Sequence, residues 1–137
     1  MAQRMVAPNL VSGEGEAARL LGGKRRDDGK IVFPLPSGPE AQRYEPIELA
    51  AEGELWSFTV QRFRPKSPFD GEGDDANFKP YAVGYVTLPG QIIVEARLDT
   101  GDFDSLRIGM PMRFCLLPYR RDADACEVLT YAFRPTL

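Results

Sequence analysis

The chain has 137 residues, enough for one domain with its own hydrophobic core and too few for two catalytic domains. It contains no histidine, which excludes a histidine general base, a triad built on one and any imidazole metal site. A net charge of -3 and a pI near 5.0 argue against a domain whose main partner is a phosphate backbone.

Residues 1–12 show no sustained period and read as an arm that is mobile or orders on a partner. They lack the basic, apolar and small-residue sequence of a secretory signal, and no run approaches the roughly 18 apolar residues of a membrane span. The expected location is the cytoplasm. Ser12 suits a helix cap, and residues 14–21 (EGEAARLL) read as a short helix with acids at its start, stopped by Gly22-Gly23. Residues 24–39 carry a turn signal at Asp28-Gly29 between segments able to pair as a small hairpin. A short strand is expected over 45–49.

From Gly53 onward the pattern becomes five strand-like runs, 54–63, 80–88, 91–98, 112–119 and 127–133, separated by Gly, Pro and Asp clusters. In the first, Trp56, Phe58 and Val60 alternate with Leu55, Ser57 and Thr59, the period of a strand with one buried face. Pro89-Gly90 marks a tight hairpin, and a helical turn is expected over 102–106. Five antiparallel strands with a helical element between the third and fourth predict an all-β, five-stranded OB barrel. The two cysteines, Cys115 and Cys126, lie in strand-like apolar patterns and read as buried thiols, although adjacent antiparallel strands would also bring them together. Without a histidine to activate them, neither is expected to act as a nucleophile.

The run Gly53-Glu54-Leu55-Trp56-Ser57-Phe58-Thr59-Val60 resembles the first barrel strand of the acyl-CoA-associated OB-fold family, domain of unknown function number thirty-five. Pro80-Tyr81-Ala82-Val83, the corner Ile108-Gly109-Met110-Pro111-Met112 and the closing Phe133-Arg134-Pro135 agree with that family in order and spacing. Its members usually carry a zinc ribbon of two Cys-x-x-Cys knuckles before the barrel. Here Gly29 and Val32-Phe33-Pro34 keep the ribbon's frame, but its cysteine positions align to Arg25, Asp28, Gly38 and Ala41, a set unable to hold structural zinc. The resemblance thus implies an N-terminal arm and short helix over 1–21, a metal-free ribbon remnant over 22–50 and an OB domain over 51–137. Without metal, a segment this small needs other support. Packing of Ile31, Phe33, Leu35, Tyr44, Ile47 and Leu49 on the barrel or on a partner is expected to supply it.

The resemblance also implies a function: a subunit, not catalytic by itself, that completes a thiolase-type acyl-CoA enzyme in a hetero-oligomer and contributes to its CoA or acyl tunnel. No tightly bound cofactor and no zinc are expected, beyond the CoA thioester of the partner. The alternatives are a partner of a MaoC-type enoyl-CoA hydratase, a module for single-stranded nucleic acid, and a free-standing acyl-CoA sensor or thioesterase. The segment 62–79 is long for a hairpin connection, which marks it as a candidate site. Phe63, Phe69, Phe78 and Tyr81 are its expected partner anchors, Phe63 and Phe78 being equally suited to finishing strands inside the barrel. Arg62, Arg64, Lys66 and Lys79 are candidate contacts for CoA phosphates, against the plainer reading of a solvated basic edge. The acids at 70–75 lack the spacing of a calcium loop and read as a solvated tip.

Overall fold

The computed structural model describes residues 3–5, 10–13, 15–62, 79–121 and 126–136. Its ten strands in chain order are β1 (Gln3–Met5), β2 (Val11–Ser12), β3 (Arg19–Arg25), β4 (Ile31–Val32), β5 (Tyr44–Glu48), β6 (Glu52–Gln61), β7 (Tyr81–Leu88), β8 (Ile92–Leu98), β9 (Pro111–Arg121) and β10 (Glu127–Pro135). The only helical turns among the described residues are three 3-10 segments, Gly15–Ala17, Gly38–Arg43 and Phe103–Ser105. No described helix is long and apolar enough to cross a membrane.

Strict alternation builds β7 and β8: Ala82, Gly84, Val86 and Leu88 face inward opposite Leu98, Ala96, Val94 and Ile92. They are joined through Pro89-Gly90, where Gly90 at φ +73° permits the tight reversal. β6 joins this meander antiparallel to β7, β8 continues in parallel to β10, β10 pairs with β9, and β9 closes onto β6. The result is a closed five-stranded barrel with the Phe103–Ser105 turn between its third and fourth strands, the connectivity of an OB fold. Phe133, Met112, Val86 and Leu55 fill its interior.

Two close approaches depend on glycine. A Cβ at Gly53 would collide with the Thr87 carbonyl oxygen on β7, and one at Gly84 would lie 2.9 Å from Leu55, Leu98 and the Ser57 carbonyl. Gly53→Ala is therefore expected to destabilise the barrel by about 3 kcal/mol, the upper range for overpacking, as a lower midpoint in urea unfolding.

The N-terminal region corrects one sequence expectation. In place of a helix over 14–21, a single 3-10 turn precedes β3, which runs on through Gly22-Gly23. The glycine pair does not stop a helix; it admits neighbours. A Cβ at Gly22 would sit 2.8 Å from the Val32 carbonyl, and one at Gly23 would press on Leu35, Pro36 and Tyr44. β3 is the centre of a small sheet, with β2 and then β4 along one side and β5 along the other. Ser12 caps no helix; its hydroxyl donates to the Glu48 carboxylate at 2.5 Å. The Asp28-Gly29 hairpin and the strand expected over 45–49 are present, as β3–β4 and β5.

This sheet shares one core with the barrel. Leu20 and Leu49 are fully buried in the cluster that contains Leu55 and Phe133, and Ile31, Phe33 and Ile47 pack against it. Phe33 also meets Tyr131 of β10 edge-on, with ring centroids 5.3 Å apart. In the N-terminal arm, β1 lies parallel to β10, with Gln3 opposite Glu127 and Met5 opposite Leu129.

Candidate functional site

Trp56 defines the most distinctive surface. In the ladder between β6 and β7, Leu55 opposes Val86 and Ser57 opposes Tyr85, so Trp56 is the extra residue of a bulge. The simple alternation places Trp56 with Phe58 and Val60, but the bulge breaks that phase. Leu55, Phe58 and Val60 turn to the core, while Trp56 is turned out and is 58% exposed. Its ring meets Tyr85 edge-on at 6.1 Å. Tyr85 and Ile93 are 42% and 45% exposed on the same outer face, since Tyr85 opposes Glu95 and Thr87 opposes Ile93. Ile108, also exposed, sits on the corner whose Gly109 amide donates to the Leu55 carbonyl beside the bulge. These four are the large exposed apolar side chains of the described residues, and all lie on or beside one bulge. Isolated exposed apolar residues are ordinary, whereas a group around a tryptophan marks an interaction surface.

Farther along the same face Arg97, opposite Val83, stands over the Tyr81 ring, its guanidinium carbon 3.5 Å from the ring centroid, with that of Tyr119 of β9 at 5.4 Å. Burial lowers the affinity of this guanidinium for its proton, and the two tyrosines partly offset that effect. The group lines a recess of about 240 Å³ together with Glu95, Thr130 and Tyr131. Burial, and then the Glu95 charge, raises the Tyr131 hydroxyl above its ordinary range; a hydrogen bond with Glu95 does the same for Tyr85.

Of the expected anchors, Tyr81 stands at the start of β7 as the platform for Arg97, while Phe63, Phe69 and Phe78 lie outside the described residues. Of the expected phosphate contacts, Arg64 and Lys66 lie outside them too. Arg62 and the exposed Lys79 mark the two ends of the connection, and the Arg62 guanidinium is 5.9 Å from the Phe103 ring centroid. Arg97 and Tyr119 were missed by the sequence reading. A cation inside the strand-like run QIIVEARL, two residues from Glu95 and so in the same register, was the available signal for the first.

Neither cysteine is fully buried, and they do not pair: Cys115 opposes Ala132, and Cys126 precedes β10. Cys115 lies with its sulfur 4.0 Å from a carboxylate oxygen of Asp99, and burial followed by that charge pushes its thiol up to about 11. At pH 8 about one such thiol in a thousand is ionised. Alkylation of Cys115 by iodoacetamide, followed by peptide mass spectrometry, should be slow at pH 8 and accelerate about tenfold per pH unit up to about pH 10.

Where the resemblance aligns the first knuckle's cysteines, Arg25 and Asp28 are bound to each other. The guanidinium donates through Nε and Nη2 to the two carboxylate oxygens at 3.1 and 2.6 Å. This pairing holds the Asp28 carboxyl well below the usual carboxylate range. Among the described residues no three His, Cys, Asp or Glu side chains gather as a metal ion would require.

A family model described as the C-terminal OB-fold domain of ChsH2 matches residues 46–116. A solved structure described as the Ltp2-ChsH2(DUF35) aldolase is similar in fold, with a TM-score of 0.60 and 24% identity over 87% of this chain and 86% of that one. No curated protein matches the sequence.

Proposed function

Since the chain belongs to the family of the ChsH2 C-terminal OB-fold domain, we propose that it is an accessory subunit, non-catalytic by itself, that docks onto a thiolase-type acyl-CoA enzyme and completes it. The observation that carries this reading is the apolar group of Trp56, Tyr85, Ile93 and Ile108 around the β6 bulge. A bulge turns an aromatic residue to solvent at the expense of barrel burial, and an aromatic anchor of that kind suits a protein interface. The similar structure described as an Ltp2-ChsH2(DUF35) aldolase favours an enzyme partner of that kind over an enoyl-CoA hydratase. Arg97 stands farther along that face, and Arg62 and Lys79 at the two ends of the connection between β6 and β7; these are the cations offered to CoA phosphates at the edge of such an interface.

In this reading catalysis belongs to the partner. The chain has no histidine, and Cys115 holds its proton firmly at neutral pH. Co-expression with a thiolase-type acyl-CoA enzyme of the same organism, with an affinity tag on one chain only, tests the assignment. The two chains are expected to co-elute, and the enzyme's turnover to depend on the pair. Separate elution with full turnover by the enzyme alone would refute it. Salt-dependent capture of a single-stranded oligonucleotide by the Trp56 face, without capture of the enzyme, would favour a nucleic-acid module instead.

The same reading includes a metal-free N-terminal sheet. The Arg25–Asp28 pair closes its hairpin, and Leu20 and Leu49 anchor it in the common core. Dialysis against a strong chelator should leave the thermal unfolding midpoint unchanged, whereas a zinc-dependent sheet would lose most of its stability.

A further inference from the structure

Between the Gly15–Ala17 turn and strands β9 and β10 lies a groove of about 530 Å³, lined by Arg19, Arg113, Arg134, Glu16 and Glu127 over apolar side chains that include Leu116 and Leu129. Its charge pattern is unusual. Arg113 and Arg134 are directly opposed in the antiparallel ladder of β9 and β10, a placement of like charges that destabilises a sheet. On its other side Arg113 opposes Glu52 and donates to that carboxylate from Nη1 at 2.8 Å, so the row holds two guanidinium groups and one carboxylate, which is bonded to Arg113. Arg134 is exposed and makes no ion pair among the described residues. Arg19 is held in place by two hydrogen bonds from Nη1, to the carbonyls of Glu16 at 3.0 Å and Ala18 at 2.7 Å. Its Nε and Nη2 donors make no hydrogen bond among the described residues.

From this arrangement we infer that the groove binds a small organic phosphate monoester, its phosphate between Arg113 and Arg134 within reach of Arg19 and its apolar body on Leu116 and Leu129. A phosphate dianion relieves the opposed guanidinium pair, and each arginine fork matches two of its oxygens. Counted with Glu52, the three arginines are matched by three glutamates, so it is the placement of the guanidinium groups, with Arg134 outside any ion pair among the described residues, and not net charge that favours an anion here. The groove volume falls within the range of small-molecule sites, about 300–1,000 Å³. The groove uses none of the residues of the Trp56 face, so this inference stands or falls independently of the docking function.

Titration of the isolated full-length chain with phenyl phosphate, followed by amide NMR, tests it. Saturable shifts are expected at residues 19, 113–116, 129 and 134, with affinity about tenfold weaker in Arg134→Gln, the loss of one charge-assisted contact. Bound phenyl phosphate should also slow alkylation of Cys115, which lines the same groove. Arg19→Gln supplies a second variant with the same expected direction. Absence of saturation, saturation that neither variant weakens, or equal affinity for benzoate would each overturn the assignment.

Discussion

Phe133→Ala is expected to destabilise the protein by about 3–5 kcal/mol, enough to leave much of it unfolded at ordinary temperature. Phe133 is fully buried at the join of β10 with β8 and β9, opposite Leu98 on one side and Phe114 on the other. Its ring meets Phe114 edge-on at 6.1 Å. Alanine removes the ring from a core whose walls are hydrogen-bonded strands, and a closed barrel collapses poorly around such a void. Urea unfolding followed by near-ultraviolet circular dichroism measures the change. A loss below about 1 kcal/mol would mean that the barrel interior is not packed around this ring.

The second large effect is on association. Trp56→Ala should weaken capture of the partner enzyme about 30-fold or more, the scale of an aromatic hot spot of about 2 kcal/mol, while changing the stability of the isolated chain by no more than about 1 kcal/mol. The separation follows from geometry. Trp56 contributes to the barrel through its edge contact with Tyr85, and the core on that stretch is built from Leu55, Phe58 and Val60. Surface plasmon resonance with the immobilised enzyme gives the affinity, and thermal unfolding the stability. Unchanged affinity would remove the bulge from the interface. A large drop in stability would show that Trp56 serves the fold.

Much of the fold was legible because its signals are local. Val86 and Leu88 on β7, with Val94 and Leu98 on β8, announce inward faces by their period of two, and Pro89-Gly90 announces the reversal between them. The segment 14–25 failed the same treatment. EGEAARLL carries helix-forming residues followed by a glycine pair, but β2, β4 and β5 all pair with β3, and that non-local pairing outweighed local propensity. The candidate site was harder to read for a related reason. The connection 62–79 was singled out by length, yet Trp56 meets Tyr85 across two strands and Arg97 meets Tyr81 and Tyr119 across three, contacts set only by the register of the barrel.

By itself, then, the order of residues determined the strand count of the barrel, its hairpins and the exclusion of histidine chemistry, because each depends on residue type or on spacing within a few positions. Only the tertiary structure decided that Trp56 faces solvent, that Arg97 lies on Tyr81 and that two arginines oppose each other on β9 and β10. A single inserted residue reverses which face a strand presents, and its place is set by pairing with a distant strand.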